Sequence, residues 1–257
     1  MKIVPLASGS SGNSYLLRQG EHAMLVDAGL TCKQLLLRME KTREEPGRIQ
    51  GIVVSHAHSD HIKGVGVLSR KFNIPVYMNK GTWNAANGAL GKISRVELFE
   101  TGKTFGLGCF RIHPFSVPHD CAEPVAFRIT CGSTRIGIAT DLGVPTTLVT
   151  NLLTDLHAVI LESNHDLDML MDGPYPWDLK QRVKSRLGHL SNNQSAQLLQ
   201  RIINDELRFV VLAHMSETNN SADLALKTAR KSVPAFLDQK GSILCALQDQ
   251  VGPEIEL

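Results

Sequence analysis

The chain has 257 residues, a formal net charge of +2 and 42% hydrophobic residues. That length suits one large domain or two small ones, and the apolar fraction excludes a disordered chain. No apolar run approaches the ~20 residues of a membrane helix, Met1–Ser8 has no apolar segment of signal-peptide type, and near-neutral charge gives no whole-chain pull toward nucleic acid, so a cytoplasmic location is expected.

Lys2–Leu6, Ser14–Leu17 and Ala23–Asp27 read as short strands, parted by the turn formers Ser8–Asn13 and Gln19–Gly20. Thr31 can cap a helix to about Glu40, with Leu35, Leu36 and Met39 on one face. Gly51–Ser55 reads as a buried strand, His61–Lys71 as a helix weakened by Gly64 and Gly66, and Pro75–Met78 as a strand. Phe110–Val117, Pro124–Thr130 and Thr134–Ala139 form a β-rich middle, with Gly132–Ser133 as a hairpin turn. Ala158–Leu161 and Phe209–Ala213 read as buried strands. Asp172–Pro176 is a lid or a connector, and Trp177–Leu187, Asn193–Ile203 and Ala222–Lys231 read as helices. The order predicts sheets covered by helices, an α+β chain forming one domain over residues 1–257.

Five scattered cysteines without a Cys-x-x-Cys pair argue against a disulfide framework or a cysteine zinc site. The ten histidines are more informative. Ser55–His56–Ala57–His58–Ser59–Asp60–His61 follows directly on a buried strand. Side chains two apart in an extended segment share a side, so His56 and His58 can face one ion. Asp60 and His61 fall at the strand-to-helix transition and can reach a second point. Imidazole and carboxylate are zinc-type ligands, and the cluster suits one or two metals. The alternative is a polar surface loop that happens to be rich in histidine.

This His-x-His-x-Asp-His pattern resembles the metallo-β-lactamase superfamily. Asp27, ending a strand, matches that family's early aspartate, and His119, Asp141 and His214, the last ending the strand Phe209–Ala213, match its later positions in order. A closer resemblance is to its YycJ/WalJ-type branch, carried by Ser8–Ser14, His119–Asp120, Leu161–Asp166, Gly188–Asn192 and His214–Asn220. The resemblance implies a four-layer αββα sandwich with two divalent ions, Zn²⁺ or Mn²⁺, at one sheet edge. His56, His58 and His119 would hold one ion, Asp60, His61 and His214 the other, and Asp141 and a shared hydroxide would bridge them. Asp27 would brace a ligand rather than bind metal. Histidine at the centre of the motif disfavours the oxygen-reactive di-iron relatives.

The branch implies phosphodiester cleavage by that two-metal hydroxide, with 5′-to-3′ exonuclease action on DNA ends as the expected activity. A cyclic phosphodiesterase acting on a small phosphosugar and a thioesterase-type hydrolase are the alternatives. A non-enzymatic metal-stabilised scaffold is a further one, which the complete ligand set argues against. Asp60, His189 and His165 are the catalytic candidates. The two histidines would act as proton donors at the leaving oxygen, or else as structural braces. Ser11 and Asn13 of the first loop and Asn192 are the substrate-side candidates. The Ser8–Ser14 loop can cradle a phosphate with backbone N–H groups or be a plain hairpin. Ser191–Asn192 can cap a helix whose N-terminus faces a phosphate. Asp178–Lys231 holds nine basic residues against five acidic ones. Within it, Lys180, Arg182, Lys184 and Arg186 form either a phosphate track or a solvated helix face. No aromatic platform for single strands is evident, and the residues leave the oligomeric state open. His22, His113 and His157 match no motif.

Overall fold

Two mixed sheets lie face to face in the computed structural model, which describes residues 1–239 and 241–257. The first comprises β1 (Lys2–Ala7), β2 (Ser14–Gln19), β3 (His22–Val26), β4 (Ile49–Val53), β5 (Val76–Met78), β6 (Val96–Leu98) and β14 (Ile255–Glu256), in the order β14-β1-β2-β3-β4-β5-β6. The second comprises β7 (Phe105–Leu107), β8 (Phe110–Ser116), β9 (Val125–Cys131), β10 (Thr134–Ala139), β11 (Ala158–Glu162), β12 (Phe209–Ala213) and β13 (Ser242–Cys245), in the order β13-β12-β11-β10-β9-β8-β7. Helices α1 (Cys32–Lys41), α2 (Ser59–Ile62), α3 (Val65–Phe72) and α4 (Lys80–Leu90) belong to the first half. The second half adds α5 (Thr147–Leu152), α6 (Leu167–Asp172), α7 (Trp177–Val183), α8 (Asn192–Ile202), α9 (Ala222–Ser232) and α10 (Pro234–Asp238).

Three apolar cores define the layers. Tyr15, Leu17 and Val26 of the first sheet meet Phe110, Phe127, Ile138 and Val211 of the second, filling the space between the sheets. Leu16 and Leu25 point to the other face and pack with Leu35 and Met39 of α1 and Leu68 of α3. Leu161, Val210 and Leu212 likewise pack with Leu198 and Leu199 of α8 and Ala225 of α9. A strand presents alternate residues to opposite faces, and both faces here are apolar, so each sheet is covered twice. The result is the αββα sandwich expected from the sequence.

Strand direction sets where chemistry can occur. β3 runs parallel to β4, and β10, β11 and β12 run parallel to one another. Their C-terminal ends gather at one edge of the sandwich, the place where open sheets with parallel strands bind ligands. Asp27, Ser55–His61, Asp141, Glu162 and His214 all lie at or just beyond these strand ends.

Two expected helices are shorter than their apolar patterns. The His61–Lys71 helix divides into α2 and α3, because Gly64 N–H turns aside to the Ala28 carbonyl. The Trp177–Leu187 helix stops at Val183, where the His189 N–H takes the Val183 carbonyl and turns the chain back toward β11. Thr31 caps α1 and Ser191 caps α8, each in a reciprocal box with the glutamine three residues on. No described helix is long and apolar enough to cross a membrane.

Candidate metal centre

The site starts from backbone geometry. After β4 the chain stays extended to His58, so His56 and His58 face the same way, and α2 then lifts Asp60 and His61 beside them. Asp27, Asp141 and His214 sit at strand ends with φ of 59°, 57° and 54°. Non-glycine residues in the left-handed region are strained, and here three of them turn their side chains into one cluster. The turn after β3 closes tightly on α2. A Cβ on Gly29 would stand 1.6 Å from the Asp60 carbonyl oxygen, so this approach requires glycine.

Donor atoms fall into two sets that share Asp141. His56 Nε2 and His119 Nε2 each lie 3.2 Å from His58 Nδ1. Asp60 Oδ2 lies 3.4 Å from both His61 Nε2 and His214 Nε2. Asp141 Oδ1 is 3.6 Å from His119 Nε2 and 3.6 Å from His214 Nε2, while its Oδ2 is 3.1 Å from His61 Nε2. Two ligands on a tetrahedral ion with bonds of ~2.0–2.1 Å stand about 3.3 Å apart, close to these spacings.

Hydrogen-bond partners decide which ring nitrogen is free. His119 Nδ1 donates to the Gly188 carbonyl at 3.1 Å. His61 Nδ1 donates to Asp27 Oδ2 at 2.8 Å, and His214 Nδ1 to Glu162 Oε1 at 2.9 Å. Ser55 Oγ spends its proton on Asp27 Oδ2 and therefore accepts from His56 Nδ1 at 3.0 Å. Each of these four rings thus turns its Nε2 toward the cluster, the arrangement of a histidine prepared to bind metal, while His58 faces His56 and His119 through Nδ1. Asp141 Oδ2 is buried 3.1 Å from His61 Nε2 and has no hydrogen-bond partner of good geometry among the described residues. Converging lone pairs and an orphaned carboxylate oxygen fit divalent cations.

The metallo-beta-lactamase superfamily profile matches residues 7–214. The chain belongs to that superfamily. Exodeoxyribonuclease YycJ of Bacillus anthracis is 38% identical over 92% of this chain and 89% of its own length. Exodeoxyribonuclease WalJ of Streptococcus pneumoniae serotype 2 is 38% identical over 87% of this chain and 84% of its own. These relationships put the chain in the YycJ/WalJ-type branch, as the motifs imply. The fold also matches the crystal structure of the metallo-beta-lactamase fold protein YhfI from Bacillus subtilis, with TM-score 0.77 at 18% identity, covering 100% of this chain and 99% of that one. The protein is therefore a metallo-β-lactamase-type hydrolase, with a cluster suited to divalent metal.

Burial and charge then tune the metallo-β-lactamase centre. Burial, with the neighbouring charged histidines, pushes His56 well below the ordinary imidazole value, and burial also lowers His58. Burial opposes charge on His61 too, but Asp141, Asp60 and Asp27 outweigh it and raise its pKa well above that value. His214 is raised to about 10 in the same way, by Asp141, Asp60 and Glu162. Burial would raise Asp60 and Asp141, yet the surrounding histidines hold both below the usual carboxylate range.

Glu162 carries no assigned role in the sequence reading, although it closes an apolar strand within a branch motif. It is fully buried and accepts five hydrogen bonds. The N–H groups of Asp141, Leu142 and Leu190 supply three, and Nδ1 of His189 and His214 the other two, both at 2.9 Å. Burial opposes its ionisation, but His189 and His214 bring its pKa down to about 2. It ties β10, β11, the His189 loop and β12 to one point.

A cavity of about 250 Å³ opens over the cluster, lined by His58, Asp60, His119, Asp141, His189 and His214 among others. His189 is thus at the pocket wall. His165 is not: it is buried, its Nδ1 lies 3.3 Å from Asn164 Oδ1, and burial lowers its pKa to about 4. Asn192 is also away from the pocket, its buried amide paired with Asn220 and accepting from Ser163 Oγ. Ser191 caps α8, but the first turn of that helix does not line the pocket. Asn13 reaches behind Asp60, donating to its Oδ2 at 3.1 Å.

Ser11 lines a neighbouring cavity of about 520 Å³ that shares Ser10, Ser59 and Asp60 with the metal pocket. The N–H groups of Ser8, Gly9, Ser11, Gly12 and Asn13 are bonded within the protein, which braces the loop, and Ser10 lines the metal pocket. His22, His113 and His157 bond to Gln50, Thr104 and the Arg135 N–H, apart from the cluster.

Proposed function

We propose that the chain hydrolyses phosphodiester bonds in nucleic acid, as a 5′-to-3′ exonuclease working from DNA ends, with residues 1–257 acting as one domain. The observation that carries this reading is the division of seven donors into two sets joined by Asp141 beneath a polar pocket. The two 38%-identical relatives, both named exodeoxyribonucleases, support the choice of DNA.

His56, His58 and His119 would hold one divalent ion, Asp60, His61 and His214 a second, and Asp141 both. Bound there, two such ions would lower the pKa of water and neutralise charge on a phosphoryl group. The protein's own groups do the rest. Asp27, Ser55, Gly188 and Glu162 fix the ring orientations through Nδ1 of His61, His56, His119 and His214. Burial opposes protonation of His189, but the Glu162 charge and hydrogen bond outweigh it and raise its pKa. A protonated His189 at the pocket wall can therefore give a proton to the leaving oxygen.

The test supplies Mn²⁺ and Zn²⁺ separately to purified protein. The substrates are end-labelled single- and double-stranded DNA, RNA, cyclic phosphodiesters and an acyl thioester. Release of mononucleotides from 5′ ends of DNA, lost in Asp60→Ala, is the expected result. Failure to cleave any phosphodiester under either metal would sink the reading.

A further inference from the structure

Among Lys180, Arg182, Lys184 and Arg186, Arg182 is the residue that lines the metal pocket. Lys180 Nζ is spent on the Met171 carbonyl at 2.6 Å, and Lys184 lies over the Trp177 ring, 5.6 Å from its centroid. Arg182 Nε donates to Asp120 Oδ2 at 2.5 Å. The other oxygen of that carboxylate, Oδ1, stands 3.5 Å from His119 Nε2 and 4.0 Å from His58 Nε2. Asp120 therefore stands between the guanidinium and the histidine cluster. The Nη nitrogens make no hydrogen bond among the described residues, and the Arg182 side chain is 61% exposed.

An ion pair with so exposed an arginine contributes little to stability. This one has a different consequence. Asp120 fixes one edge of a planar fork and leaves the donor pair of the Nη groups free at the pocket mouth. A fixed guanidinium with two free parallel donors is suited to bidentate binding of a phosphate. The metal cluster lies on the far side of Asp120, so the phosphate held here is not the one being cleaved.

We propose that Arg182, positioned by Asp120, forms a second phosphate subsite that binds the backbone phosphate next to the scissile one. The subsite rests on the phosphodiesterase reading. It makes the enzyme prefer a polynucleotide over an isolated phosphodiester, and it sets the register of the strand over the metals. Lys63, exposed on the rim of the neighbouring cavity beyond Ser59 and Asp60, lies outside this subsite.

The experiment compares wild type with Arg182→Gln on two substrates, bis(p-nitrophenyl) phosphate and a short single-stranded oligodeoxynucleotide. The first has one phosphodiester and no neighbouring phosphate. The ratio of kcat/KM for oligonucleotide over bis(p-nitrophenyl) phosphate should fall about tenfold, mostly through KM, the size of one lost charge-assisted contact. Equilibrium binding of the fluorescein-labelled oligonucleotide to chelated protein should weaken similarly, with the log–log salt slope reduced by about one. Arg95→Gln, which removes an equal charge at the outer edge of the first sheet, should leave the ratio unchanged. An equal loss on both substrates, or an unchanged ratio and salt slope, overturns the subsite. If wild type cleaves neither substrate, the phosphodiesterase reading itself has failed.

Discussion

Glu162 Oε1 stands 2.9 Å from His214 Nδ1 at the buried end of β11. Its side-chain carboxylate also holds His189 and three backbone N–H groups, so a metal-ligand candidate and a pocket-wall histidine depend on one residue. Glu162→Gln preserves volume but turns an amide nitrogen toward some of these donors. Metal affinity should fall ~10–100-fold, and stability by about 1–3 kcal/mol. Metal titration and urea unfolding read the two effects. Unchanged affinity would show that orientation of His214 through Nδ1 is dispensable.

Asp27 has the matching role for His61. Its Oδ2 takes both the Ser55 hydroxyl and His61 Nδ1, at 2.8 Å each, and its φ is 59°. Asparagine tolerates that backbone but cannot accept at both carboxylate positions. Asp27→Asn should weaken the Asp60–His61–His214 side ~10–100-fold and the His56–His58–His119 side less. A sequential binding isotherm separates the two. Equal loss at both sides would mean that Asp27 acts on the whole edge rather than on His61.

Raised pKa values on His61 and His214 predict proton release when metal binds. Ligation needs neutral imidazole, so metal uptake on that side at neutral to mildly alkaline pH should free protons, the one on His214 included. His56 and His58 are lowered and have none to give. Calorimetry in buffers of different ionisation heat measures the count, and no release at all would contradict the assignment.

The same shifts predict how chelated protein responds to pH. A raised imidazole pKa stabilises fully below the unfolded value of ~6.5. That contribution is lost as pH climbs through the folded value, about 10 for His214. The melting temperature of chelated protein should therefore fall from about pH 7 toward pH 10. Asp60 and Asp141, held low, act with the opposite sign: their contribution is full above ~3.9 and disappears on acidification. A flat profile between neutral and alkaline pH would refute the raised values.

His189 lines the pocket, and its Nδ1 also lies near donor atoms of Asp141 and His214. As a proton donor, His189→Ala should lower kcat ~10²–10⁴-fold while metal content changes much less. Metal analysis of the purified variant decides between the roles. Parallel loss of metal and turnover would move His189 into the ligand set.

Much of the centre was legible in the chain itself. His56, Ala57 and His58 in extended backbone can present two imidazoles on one side whatever the rest of the protein does. Thr31 with Gln34, and Ser191 with Gln194, announce two helix starts because a cap acts over three residues. Glu162 was not legible as a site residue. An acid closing an apolar strand has no local signature of five bonds, all of which come from residues 20 to 52 positions away. The basic run at Lys180–Arg186 gave no sign that Arg182 is the one that reaches the pocket. That choice depends on where α7 ends and on Asp120, 62 residues earlier. Asn192 and His165 lie in motifs beside the site, but local order could not show that packing turns both inward.

Local spacing by itself determined sheets covered by helices, the two faces of each strand and the clustering of His56, His58, Asp60 and His61, while the sandwich class came from the motif resemblance. Backbone geometry limits neighbours a few residues apart to few arrangements. Tertiary structure alone decided which distant carboxylate orients each ring, which nitrogen is free for metal and which arginine stands at the pocket mouth. Those relationships join strand ends from both sheets. They exist only once burial has removed water and left each polar group to find its partner within the protein.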